Sequence, residues 1–143
     1  MAHFGSSSLK LAGRWLAVSG LSLLVLGGCA AVERIEVAEG ARAVEQRALE
    51  RWNYLIGGQW EKAYEYFSPT SRSTLPLEVF RRRSAGGQWW RTISVDKVDC
   101  RPESCRVTMT LKYDLKEIKG LTRIIEETWI NEAGTWWLVA GLK

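Results

Sequence analysis

The stretch from Ala41 to Pro69 constrains the fold most, because two helix-period segments meet there at Gly57–Gly58. In the first, Ala41, Val44, Ala48, Trp52 and Leu55 recur at three- and four-residue intervals and set one apolar stripe on a helix. Trp60, Ala63, Tyr64 and Phe67 repeat the device in the second. The glycines can take the left-handed conformation that ends one helix and turns the chain into the next. Pro69 ends the second segment, since the residue before a proline disfavours the helical region. Neither helix can hide its aromatics alone, so both need a surface to lie on.

The second half of the chain supplies one. Thr74 is a plausible cap, with Pro76 near the start of a short third helix through Leu77, Val79 and Phe80. Ser84–Ala85–Gly86–Gly87 then marks a change from helical to strand periodicity. Four strands are expected, over about 90–99, 105–115, 122–131 and 135–142, with Val107, Met109, Leu111 and Tyr113 on one face of the second. On the third, Arg123, Ile125, Glu127 and Trp129 share a face. Lys116–Gly120 and Glu132–Gly134 are the connections of an antiparallel meander.

Trp52 near a helix end, a Gly-rich turn, Gln59–Trp60, the run Tyr64–Tyr66–Phe67 and then Ser68–Pro69 together resemble the opening of small NTF2-like domains. The resemblance covers about residues 33–142. It implies an α+β fold in which N-terminal helices pack on a strongly curved, mainly antiparallel four-stranded sheet, making a cone with a pocket. That fold hosts enzymes, binding proteins and assembly modules, so it narrows shape more than function.

Residues 1–28 read as a targeting segment: Lys10 and Arg14 precede the mainly apolar run Trp15–Leu26, which is too short for an ordinary membrane span. Leu26–Gly27–Gly28–Cys29 resembles the bacterial lipoprotein processing box, which implies that Cys29 becomes the first mature residue and carries the lipid. A short transmembrane or ordinary secretory segment is the alternative. Ala30, where no aspartate follows the cysteine, resembles an outer-membrane sorting pattern facing the periplasm of a two-membrane cell. The expected organisation is a signal segment over 1–28, a lipidated tether and helix start over 29–40, and one domain over 41–143.

After such processing 115 residues remain, with all 16 acidic residues against 18 Lys and Arg. This near balance removes most compositional support for nucleic-acid binding. The one histidine, His3, falls in the removed segment, so histidine-dependent triads and zinc deaminase chemistry are excluded from the mature chain. Cys100 and Cys105 do not have CxxC spacing; in an oxidising compartment they form a structural disulfide across Arg101–Ser104, or else stay free thiols in a hairpin. No metal-ligand spacing or phosphate loop is present, and no cofactor is expected.

Seven tryptophans remain in the mature chain: Trp52, Trp60, Trp89, Trp90, Trp129, Trp136 and Trp137. Most are expected to fill the joint between helices and sheet. Trp136 and Trp137 point to opposite faces if both lie on one strand. Trp60, Tyr113, Trp129 and Trp137 are the candidate pocket walls. Arg81, Arg82 and Arg83 complement a helix C-terminus, or alternatively meet anionic lipid headgroups or an acidic partner. For catalysis the sheet offers the acids Asp114, Glu126 and Glu127, with Tyr113 or Arg123 as stabilising groups, but in no motif that assigns them roles. Glu126–Glu127 reads as one exterior and one interior group, with Arg123 available for an ion pair. The preferred expectation is therefore a non-enzymatic, lipid-anchored accessory domain that contacts an envelope protein. Capture of a small apolar or amphipathic ligand is the alternative.

Overall fold

In a computed structural model of the protein the described residues are 28–141, with side chains from Ala31 onward. The expected targeting segment and the Cys29 side chain lie outside them. Helix α1 spans Gly28–Ile56, α2 Trp60–Tyr64, α3 Pro69–Thr74 and α4 Leu77–Arg83, followed by a 3₁₀ turn over Ala85–Trp89. Strands β1 (Trp90–Arg101), β2 (Ser104–Leu115), β3 (Ile118–Glu132) and β4 (Thr135–Leu138) follow. Among the described residues no helix is long and apolar enough to cross a membrane.

The apolar stripe read from the sequence is the buried face of α1. Val44, Ala48, Trp52 and Leu55 pack against Val107, Met109 and Leu111 of β2 and Trp129 of β3 in one core. The helix runs straight through Gly40, which the sequence left as a weak point. A side chain there would put its Cβ 2.8 Å from the Trp136 indole, so glycine lets the helix backbone lie directly on that ring. Gly58, at φ +71°, makes the turn after α1.

Two helical expectations are corrected. The second helix stops at Tyr64, because Phe67 leaves it to bridge Leu138 beside β4. Pro69 opens a further helix instead of only closing one: Ser68 caps α3, its hydroxyl accepting from Ser71 N at 3.1 Å with the proline in the first turn. Thr74 accordingly ends α3, and α4 begins after Pro76.

The four strands form an antiparallel meander in the order β1-β2-β3-β4. The expected strongly curved, cone-forming sheet is overturned: the sheet is open, neither curled nor closed. The last strand is the physical reason. β4 has four residues and pairs only with Trp129–Glu132, leaving most of β3 without a neighbour that could carry curvature onward. Its other edge is taken by Tyr66–Ser68, through Leu138 N to Tyr66 O at 2.8 Å and Ser68 N to Leu138 O at 3.0 Å. The expected loop at Lys116–Gly120 shrinks to a tight turn, since β3 already starts at Ile118. Cys100 and Cys105 pair across the β1–β2 hairpin and are disulfide-bonded.

Candidate functional site

Strand alternation turns Glu127 inward, on the same face as Ile125 and Trp129, and only 9 % of its surface stays exposed. A carboxylate in such a place needs donors. Arg51 Nη1 and Trp52 Nε1, neighbours on α1, donate to its Oε1 at 2.5 and 2.8 Å. Trp129 Nε1 donates to its Oε2 at 3.1 Å. Helix and sheet are thus tied by one charge-assisted cluster inside the core.

Arg51 is itself buried, with its guanidinium carbon 5.1 Å from the centre of the Phe67 ring. Burial pulls its pKa below the ordinary arginine value, against the Glu127 charge that raises it. Only Nη1 takes part in an observed hydrogen bond, and Nε is buried with no partner. One turn earlier, Arg47 lies 4.7 Å from the Tyr66 ring centre, and its Nε is also unpartnered. Burial, then the nearby Glu50 carboxylate, push the Tyr66 phenol well above its ordinary pKa.

A cleft of about 470 Å³ opens beside this cluster, lined by Arg51, Phe67, Ile125, Glu127, Leu138 and Val139 among others. Its outer wall is the chain after β4. Ala140 N donates to Ser71 Oγ at 3.0 Å, and Ser68 Oγ donates to the same oxygen at 2.9 Å, so the α3 cap also fastens that wall. The cleft therefore combines aliphatic and aromatic walls with a buried ion pair.

The residues expected to line a pocket are not brought together in this cleft. Trp129 is fully buried and serves it indirectly, by holding Glu127. Trp60 packs over Gly87 in the 3₁₀ turn, and Tyr113 is half-buried opposite Leu121 on β3. Trp136 faces the core, while Trp137 takes the other side, 5.9 Å from the Arg72 guanidinium. Arg81, Arg82 and Arg83 are exposed at the end of α4, and Arg81 reaches Glu78 at 3.4 Å and Glu61 at 3.7 Å.

The ion pair anticipated between Arg123 and the Glu126–Glu127 pair is replaced by one to Arg51, 76 positions away. The missed residue left a trace. Arg51 follows Val44 by seven and Ala48 by three, so it occupies the buried stripe.

Chemically the cluster holds a charge without presenting a free base, since three donors occupy the Glu127 oxygens. Asp114 is committed elsewhere, accepting from Arg91 Nε at 2.8 Å and Gly120 N at 2.9 Å at the β2–β3 turn. The Gly120 amide first, then Arg91, hold its carboxyl below the usual range. Among the described residues no group of three His, Cys, Asp or Glu side chains is placed to hold a metal ion.

No family model matches the chain. No curated protein matches it either. Solved structures do. One is a Campylobacter jejuni protein described as an NTF2-like transpeptidase, with TM-score 0.57 and 9 % identity over 68 % of this chain and 97 % of that one. Another is a SEC-C motif containing protein from Rhodopseudomonas palustris, with TM-score 0.59 and 13 % identity over 71 % and 79 % of the two chains. Identities this low speak to fold alone. They show likeness of fold, helices packed on an antiparallel sheet, and the first of these structures carries an NTF2-like name.

Proposed function

We propose that the domain binds a small amphipathic ligand in the Arg51–Glu127 cleft. One observation carries the reading: an apolar-walled space of about 470 Å³ contains a buried guanidinium with only one nitrogen engaged. Phe67, Ile125, Leu138 and Val139 offer contact area to an apolar body, and Arg51 a donor to an oxygen-bearing head. Saturation of Glu127 favours holding over turnover. The transpeptidase description of one structural neighbour keeps catalysis on this scaffold in view, without assigning a residue here.

Native mass spectrometry of protein extracted gently from its own membranes tests the proposal. The expected result is a bound small molecule that is lost when Ile125→Trp fills the cleft. Added back at 100 times its Kd, that molecule stabilises the wild type by about 2.7 kcal/mol. An empty wild type, with no thermal shift from fatty acids, lysophospholipids or sterols, overturns it.

We propose further that Cys29 is lipidated and tethers the domain to the envelope, with the outer membrane as the expected site. Metabolic incorporation of labelled palmitate, abolished in Cys29→Ser, is the expected result; unlabelled wild type refutes the tether.

A further inference from the structure

We propose that the ligand carries an uncharged carbonyl head, as in a fatty acyl ester, rather than the carboxylate of a free fatty acid or an ammonium group. The inference rests on the reading of the Arg51–Glu127 cleft as a binding site and adds the charge of what enters it. Among the described residues lining the cleft, only Arg51, Glu126 and Glu127 are ionisable. Arg51 and Glu127 are both buried and paired through Nη1 and Oε1, so the interior carries no net charge. Glu126 lies on the other face of β3 by strand alternation, is exposed at the rim, and makes no ion pair among the described residues. Arg47, one turn before Arg51, lies over the Tyr66 ring and does not line the cleft. The space is thus neutral within and slightly negative at its mouth.

The donors and acceptors along this wall discriminate between heads. Each guanidinium nitrogen of Arg51 is a donor. Nη1 is taken by Glu127, and Nε is enclosed without a partner. Nη2 is neither bonded nor enclosed among the described residues, which leaves it as the donor that meets an acceptor in the cleft. A carboxylate would fill that role, yet it would bury a second anion against an arginine whose charge Glu127 already balances, and it would have to pass Glu126. An ammonium needs acceptors, and the Glu127 oxygens already take three donors. A carbonyl oxygen accepts from Nη2 without bringing a charge, and its acyl chain lies along Phe67, Ile125, Leu138 and Val139.

The test titrates the full chain at neutral pH with methyl octanoate, octanoate and octylammonium, which share a tail and differ in head, following the Ile125 and Leu138 methyl signals by NMR. The ester is expected to bind about tenfold more tightly than either ion. Glu127→Gln keeps an acceptor for Arg51 but removes the balancing charge, so octanoate is expected to overtake the ester while circular dichroism shows the fold retained. Arg51→Met with Glu127→Leu removes the donor together with its counter-charge and gives a second measure, independent of whether Glu127→Gln folds: the ester binds about tenfold more weakly there. An ion that binds the wild type as tightly as the ester, an unchanged order in folded Glu127→Gln, or an ester affinity untouched in the double variant would each overturn the inference and leave the cleft as a site for another head. No shift of either methyl signal with any of the three probes overturns it together with the reading on which it rests.

Discussion

At the scale of single residues, the buried charge on Glu127 sets the strongest demand in the molecule. Removing one member of a buried pair leaves the other uncompensated, at about 3–5 kcal/mol, whereas apolar replacement of both is often near neutral. Glu127→Gln is therefore expected to lower stability in urea denaturation by that amount, and Arg51→Met with Glu127→Leu to recover most of it. A double variant as damaged as the sum of the two single ones would contradict the coupling. Asp114 gives a pH signature. Its folded pKa lies below the unfolded value, so its contribution is full above about pH 3.9 and is lost as pH falls through the folded value. The stability gap between wild type and Asp114→Asn is expected to be widest near neutrality and to close on acidification; a constant gap would refute the assignment. Of these two groups, the sequence showed only that one of Glu126 and Glu127 turns inward. The partner of that acid could not be read, because a helical arginine looks solvated until the strand carrying its acid is placed against it.

At the scale of elements, periodicity served where an element buries a continuous face and failed where a residue leaves its element. Val44, Ala48, Trp52 and Leu55 of the α1 stripe and Val107, Met109 and Leu111 of the β2 face are core as read, while Ala41 and Tyr113 at the ends of those patterns are only half-buried. Phe67 has helical spacing but lies in a bridge beside β4, since a tertiary backbone pair outweighs the local pattern. Gly40 shows the same limit. Propensity marks it as a helix weakness, yet the indole of Trp136 makes it a requirement. Gly40→Ala gains about 0.5–1 kcal/mol of helix propensity. Overpacking against a buried ring costs about 1–3 kcal/mol. Net destabilisation is expected in urea titration, relieved by Trp136→Phe in the same chain. A stabilised Gly40→Ala would show that the ring gives way freely.

For the whole molecule, the meander and the helices laid on it were legible, while the shape of the sheet was not. Alternation determines which face a strand buries, but curvature depends on how far each strand finds a partner, and the short β4 was hidden in a sequence that stays strand-like to its end. The resulting connectivity predicts how the protein opens. The Glu127 cluster joins α1 to β3, Trp136 joins β4 to Gly40, and Tyr66–Ser68 joins β4 to the segment between α2 and α3. No element can leave without breaking a buried contact to another, so tryptophan fluorescence and far-ultraviolet circular dichroism are expected to trace one coincident urea transition. The first turns of α1 stand outside this network: residues 31–36 are exposed, with Val32 and Ile35 at 55 % and 59 %. Helical turns without tertiary packing have little to hold them closed. Amide exchange at 33–36 is therefore expected to be fast and insensitive to Glu127→Gln, while exchange at Ala48–Leu55 is slow and accelerates with that substitution. Equal protection along α1 in the isolated protein would mean that the exposed Val32–Ile35 face is covered in solution, and self-association would then be sought by sedimentation.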